Sequence, residues 1–183
     1  VVSPVGNSIS EYWRGLSNGN SGVGKITEFD PLKSGCRIAG IVKDYDVDAH
    51  FKFREKKRYE RFTQFGLVAA IQAAEEAKLQ ELESDSGNIG VIMGTGVGGI
   101  TSYSRVYDAL FSGPDERPID TYTIPRIMNS AVSSAISIRL GFRGPNFTLN
   151  TACSSGANAI GQAMQWVREG RLRAVICGGA EAP

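Results

Sequence analysis

The stretch GPNFTLNTACSSGANAIG occupies residues 144–161, and its reading decides the fold. Pro145 to Thr151 has the apolar and β-branched content of a short strand, and Ser154 to Glu169 reads as a helix. Cys153 falls between them, where strand gives way to helix. The free N–H groups and positive dipole end of a helix favour the thiolate, the reactive form of cysteine. The same groups can stabilise an oxyanion formed when a thiolate attacks a thioester. Gly156 and Ala157 leave room for a substrate to approach. An inert cysteine in a crowded turn fits these residues equally well, so chemistry alone leaves both readings open.

The helix that follows carries Gly156, Ala157, Ala159, Gly161 and Ala163 among few large residues. Small residues on several faces suit a helix placed between layers, and an amphipathic helix with one buried face is the alternative. Downstream, Ala174 to Cys177 reads as a strand. Upstream, Asn88 to Met93 is a short apolar run closed by glycine, which suits a buried strand. From about Arg58 to Leu82, Phe62, Phe65, Ala69, Ala73 and Ala77 recur at helical spacing. A weak helix is expected over 99–111, a Pro- and charge-rich loop over 113–125, and a helix over 130–140 capped by Asn129. Near the start, Ser8-x-x-Glu11 reads as a capping box opening a helix through Leu16. Residues 17–60 are mixed and turn-rich, with a possible strand in CRIAGIV (36–42). Strands alternating with helices predict an α/β fold with a largely parallel sheet.

Composition narrows the function classes. The 183 residues carry a formal charge of +1, so no global field draws the chain to nucleic acid or membrane. Three cysteines, Cys36, Cys153 and Cys177, are widely spaced and form no CxxC pair. That argues against a disulfide framework or thiolate–zinc site and favours a reducing compartment. The opening VVSPVGNSISEYWRG lacks the layout of a signal peptide. The longest apolar stretch, Leu67 to Ala74, is far too short to span a bilayer. No cofactor or metal is expected.

Two further stretches have chemical potential. GTGVGG (94–99) satisfies G-x-G-x-x-G after a strand, the dinucleotide fingerprint of an oxidoreductase. The acidic residue expected about 20 positions on is not matched, because Asp115 and Glu116 fall in the Pro-rich loop. KFREKKRYER (52–61) holds six basic and two acidic residues. Such a run is ordinarily a solvated helix start, and it is also a patch that would steer an acidic partner.

TACSSGANAIG (151–161) resembles the nucleophile motif of β-ketoacyl-acyl-carrier-protein synthases. VSPVGN (2–7), SGVGKITEFD (21–30), RIAGIVKDYD (37–46), GVIMGTGVGG (90–99), GPNFTLNTAC (144–153) and CGGAEA (177–182) are similar, in the same order, to that family's elongating, type II-like branch. Together they span nearly the whole chain, from residue 2 to residue 182. The resemblance implies the N-terminal half of a thiolase-like layered αβαβα architecture, within residues 1–183, shortened at both ends relative to the family. It implies Cys153 as the acylated nucleophile in decarboxylative condensation with malonyl-acyl-carrier-protein, in fatty acid or polyketide synthesis.

By the same resemblance, Val97 and Ile124 match apolar residues that line the acyl pocket. Arg54, Lys57 and Arg58 match positions that contact the acyl carrier protein, while Asp115 and Glu116 beside Arg117 leave a second carrier contact unmatched. The family's aromatic pair before the second pocket residue is here Tyr122-Thr123. The family's two histidines and lysine belong to its second half, so His50 receives no catalytic role. A homodimer in the cytoplasm or a plastid is implied for the complete protein, without nucleic-acid or membrane partners. A non-catalytic partner subunit is the remaining alternative, against which the presence of Cys153 argues.

Overall fold

The structure is a computed structural model that describes residues 1–31, 35–111 and 119–182. It divides into two compact units, Val1–His50 and Phe51–Pro183.

In the first unit, α1 (Ile9–Ser17) begins where the Ser8 hydroxyl accepts the N–H of Glu11 at 3.3 Å. The Glu11 carboxylate accepts the N–H of Asn7 at 2.9 Å, one residue earlier than in the usual reciprocal box. Strands β1 (Val23–Lys25) and β2 (Ile38–Gly40) pair antiparallel, Val23 opposite Gly40. A short helix α2 (Val47–His50) follows, and the exposed His50 ring stacks on Tyr45 with centroids 5.7 Å apart.

The second unit holds the sheet. Its helices α3 (Phe53–Arg58) and α4 (Arg61–Glu76) lead to a 3-10 segment, Leu79–Asn88, and then to β3 (Ile89–Gly94). Next come α5 (Ile100–Phe111), α6 (Thr123–Ile127), α7 (Ala131–Leu140), β4 (Asn146–Leu149), α8 (Ser155–Arg168) and β5 (Ala174–Gly179). The three strands are parallel in the order β4-β3-β5, with β3 wholly buried at the centre. The α/β expectation therefore holds for the described residues.

Strand register explains the two faces. Ile92 lies opposite Phe147 and Cys177, and Gly94 opposite Leu149, so these side chains share one face. Against that face α8 lays Ala159 and Ala163, with Trp166 beside Phe147. On the other face α7 packs against β3 and β4, and α4 against β5. There Asn146 donates to the Ser133 carbonyl at 2.9 Å and Thr148 to the Ser133 hydroxyl at 2.9 Å. Small residues thus serve the sheet-facing side of α8. Its outer side carries Ile160, Met164 and Val167, all exposed in this chain.

Local boundaries differ from expectation at three places. The helix predicted through Leu82 ends at Glu76, because Lys78 adopts a left-handed backbone (φ 53°) that no α-helix accommodates. The helix over 131–140 is preceded by Ser130, not Asn129, as its N-cap. The Asn129 carboxamide lies instead against Gly98. The expected loop over 113–125 runs into α6, and residues 112–118, including Asp115, Glu116 and Arg117, lie outside the described residues.

Candidate active site

The turn between β4 and α8 is tied down by its own polar side chains. Ala152, the residue before Cys153, has φ 53°, a left-handed conformation that costs a non-glycine residue energy and persists only where surroundings enforce it. One enforcing group is Ser155, which is 2% exposed. Its hydroxyl accepts the N–H of Thr151 at 2.8 Å and donates to the Ala152 carbonyl at 2.6 Å. Ser154 donates to the Thr151 carbonyl at 2.7 Å, and Asn158 to the Thr151 hydroxyl at 2.7 Å. The result is a sharp elbow that presents Cys153, exposed, at the N-terminus of a 14-residue helix.

Exposed at a helix N-terminus, Cys153 is open to an incoming thioester. Cys177 is different: it is half-buried under α8, and desolvation pushes its thiol pKa above the usual value, holding it in the unreactive form. Cys36 is exposed in the first unit, on the short segment before β2.

GTGVGG forms the turn after β3 and packs directly on the elbow. A Cβ on Gly94 would lie 2.5 Å from the Gly156 nitrogen and closer still to the Ser155 carbonyl group, so only glycine lets the strand end meet the helix start. The Asn150 carboxamide donates to the Gly96 carbonyl at 3.1 Å. Val97, 50% exposed, follows Gly96 on this turn. Ile124, 66% exposed, lies on α6, whose Arg126 carbonyl and Ile127 Cα abut Gly99. One loop thus meets the elbow, bears Val97 and touches the helix that bears Ile124.

The dinucleotide reading fails on this loop. The N–H groups of Gly96 and Val97, which would cradle a phosphate, both donate to the Glu181 carboxylate, at 2.6 and 3.3 Å. A second carboxylate, Glu60, takes the N–H of Ser102 in the first turn of α5 at 2.7 Å. Two carboxyl groups thus already hold the N–H donors that a pyrophosphate would need.

Neither carboxylate was singled out by sequence reasoning. Glu60 belongs to the basic run read as a solvated start, yet it is 8% exposed. Its signal is its position directly before a helix with a buried face. Glu181 lies within CGGAEA, and the resemblance implies no role for it.

Arg54, Lys57 and Arg58 are exposed on α3 and form no ion pair among the described residues. The Lys57 ammonium lies 4.5 Å from the Phe53 ring centre and the Arg58 guanidinium 5.9 Å from that of Tyr59. Helix α3 is braced by Glu55, which accepts the N–H of Lys52 at 2.9 Å and pairs with Arg139 at 2.6 Å. Arg126 donates to the Lys57 carbonyl and pairs with Asp120 at 2.8 Å. The Tyr122 N–H, more than Arg126, holds the Asp120 carboxyl below its usual pKa.

Among the described residues no cluster of three or more His, Cys, Asp or Glu side chains could hold a metal ion. No described helix is long and apolar enough to cross a membrane.

The family model described as "Beta-ketoacyl synthase, N-terminal domain" matches residues 1–183. A 3-oxoacyl-acyl-carrier-protein synthase 2 of Synechocystis sp. is 39% identical over 182 residues, which are 100% of this chain and 44% of that protein. Its namesake in Staphylococcus aureus is 35% identical over 184 residues, 100% of this chain and 45% of that protein. The chain therefore spans under half the length of these relatives. Among solved structures, the ishigamide ketosynthase/chain length factor superposes with a TM-score of 0.84 at 26% identity, covering 100% of this chain and 46% of its own. A type II PKS acyl-carrier protein in complex with its ketosynthase bound to the hexaketide gives 0.81 at 25%, covering 100% and 43%. The layered architecture expected from the sequence is thus shared with solved ketosynthases.

Proposed function

The chain belongs to the beta-ketoacyl synthase family through its N-terminal domain, and from that premise we propose that the protein carrying it is a 3-oxoacyl-acyl-carrier-protein synthase with Cys153 as nucleophile. The observation that carries the reading is the elbow, which places an exposed cysteine at the start of α8 within a chain that matches the family throughout.

In the first half-reaction the Cys153 thiolate attacks an acyl thioester on the carrier protein. A carbon–sulfur bond forms to Cys153, the original thioester bond breaks, and the carrier thiol leaves with a proton. The N–H groups at the start of α8 can stabilise the oxyanion that forms as the sulfur attacks. In the second, the malonyl thioester loses carbon dioxide, its carbanion attacks the acyl carbonyl, and the Cys153 thiolate departs. Splitting the condensation in this way replaces one difficult step by two easier ones. The family's two histidines and lysine belong to its second half, so the groups that assist decarboxylation are assigned to the rest of the protein.

The reading extends to Val97 and Ile124 as acyl-pocket walls, and to a homodimer working in the cytoplasm or a plastid. The direct test is to supply the full-length protein with acyl- and malonyl-carrier-protein. A 3-oxoacyl product two carbons longer, with release of carbon dioxide, is expected; no product with any acyl length would overturn the reading.

The carrier protein is proposed to dock on Arg54, Lys57 and Arg58. Because these side chains are exposed, replacing all three by glutamate should leave the fold intact. Rim charges govern association, so the on-rate at low salt should fall about tenfold or more. The difference should shrink as ionic strength rises and the Debye length falls below about 8 Å. Stopped-flow association rates are the measurement, and an unchanged rate at low salt would return the cluster to an ordinary solvated helix.

A further inference from the structure

The Glu181 carboxylate makes three hydrogen bonds to one short turn. Oε2 accepts the N–H of Gly96 at 2.6 Å, and Oε1 accepts the N–H of Val97 at 3.3 Å and the hydroxyl of Thr95 at 3.1 Å. The turn sits 84–86 residues away in sequence, so these bonds tie the end of β5 to the end of β3 across the sheet. Just beyond β5, the N–H of Ala180 donates to the Gly94 carbonyl at 3.0 Å, which brings Glu181 to that point. Thr95 is 1% exposed, and its hydroxyl in turn accepts the N–H of Gly98 at 3.1 Å.

This turn also lies beside the elbow. A Cβ placed on Gly96 would lie 3.1 Å from Glu181 Oε2 and 3.7 Å from the carbonyl carbon and oxygen of Ala152. The Ser155 hydroxyl lies 3.3 Å from the Thr95 carbonyl. The strained residue that immediately precedes Cys153 is therefore backed by the segment that Glu181 holds. Left-handed strain at Ala152 needs such backing, because the local chain would relax without it.

We infer that Glu181 is a positioning residue for the nucleophile: its carboxylate, by binding the N–H groups of Gly96 and Val97, keeps the 95–98 turn against Ala152 and so fixes the backbone from which the Cys153 thiol projects. The inference deepens the condensing reading and rests on it for the role of Cys153. Glu181 touches no reacting atom and acts only through the turn.

The test uses the full-length protein with Glu181→Gln, which keeps the shape but turns an amide donor toward backbone donors. Misplacing a reacting group by about 1 Å costs up to about a hundredfold in rate. Single-turnover acylation of Cys153 at saturating acyl-carrier-protein should fall at least about tenfold, with the half-saturating concentration within about twofold of wild type. The rate of iodoacetamide alkylation of Cys153 at fixed pH should fall as well, as the thiol leaves the helix terminus.

Should Glu181→Gln fail to fold, Thr95→Val removes one of the three bonds, together with the Gly98 bond to the same hydroxyl, and should shift both readouts the same way. Unchanged acylation and alkylation in a folded variant would overturn the inference. So would a slower acylation with an unchanged alkylation rate, the mark of a merely structural role, or weaker saturation at an unchanged maximal rate. A wild-type protein that takes no acyl group at Cys153 would instead defeat the condensing reading, while the alkylation rates would still decide what Glu181 does.

Discussion

Replacing Cys153 with alanine is expected to abolish condensation and leave the protein folded. The side chain is exposed at the elbow and contributes nothing to the core, so unfolding should be unaltered within about 0.5 kcal/mol. The loss of activity should exceed about a thousandfold, because a covalent step without its nucleophile has no substitute among the neighbouring groups. Ser154 and Ser155 cannot take over: both hydroxyls are committed to carbonyls of the turn. Product formation by full-length wild type and Cys153→Ala, with circular dichroism to follow folding, checks both halves. Activity retained by the alanine variant would remove Cys153 from the mechanism.

The second large effect is expected at Gly94. A Cβ there would collide with backbone atoms of Ser155 and Gly156, which cannot swing aside as a long side chain could. The sheet and α8 must separate or the elbow must shift, either of which disturbs a close-packed core. Gly94→Ala should destabilise the protein by about 3 kcal/mol, the upper end of overpacking costs. Because the clash falls on the elbow itself, acylation should also drop at temperatures where the variant remains folded. Urea unfolding midpoints paired with single-turnover acylation measure both. A variant as stable as wild type would mean that the strand end and the helix start are not in contact in solution.

How much of this was legible in the sequence depends on the range of the interactions. The central strand was readable because Ile89 to Met93 is an uninterrupted apolar run, as a strand buried on both faces must be. The elbow was readable because Cys153 falls where one periodicity gives way to another, and the family motif coincides with it. Short helices were not. Val47–His50 and Thr123–Ile127 are too brief to show a repeat, and they fell in stretches read as turns or loop. The end of α4 was missed because the alanine spacing continues through Ala77, while the left-handed Lys78 that stops the helix carries no compositional mark.

Glu60 and Glu181 show a different limit. A carboxylate that binds backbone N–H groups across 42 or 85 residues of sequence leaves no local pattern. GTGVGG is the converse case, a motif whose local form suggests phosphate binding and whose long-range partners occupy the site first. Sequence spacing identifies a turn rich in N–H donors; only the fold shows which acceptor they have taken.

The central claim is that Cys153 is the residue acylated during condensation. It is tested most directly by incubating the full-length protein with an acyl-carrier-protein thioester and mapping the adduct by peptide mass spectrometry. The account predicts one acyl group on the peptide that contains Cys153 and none on those containing Cys36 or Cys177. An adduct on either of the other cysteines, or turnover with no covalent adduct at all, would contradict it.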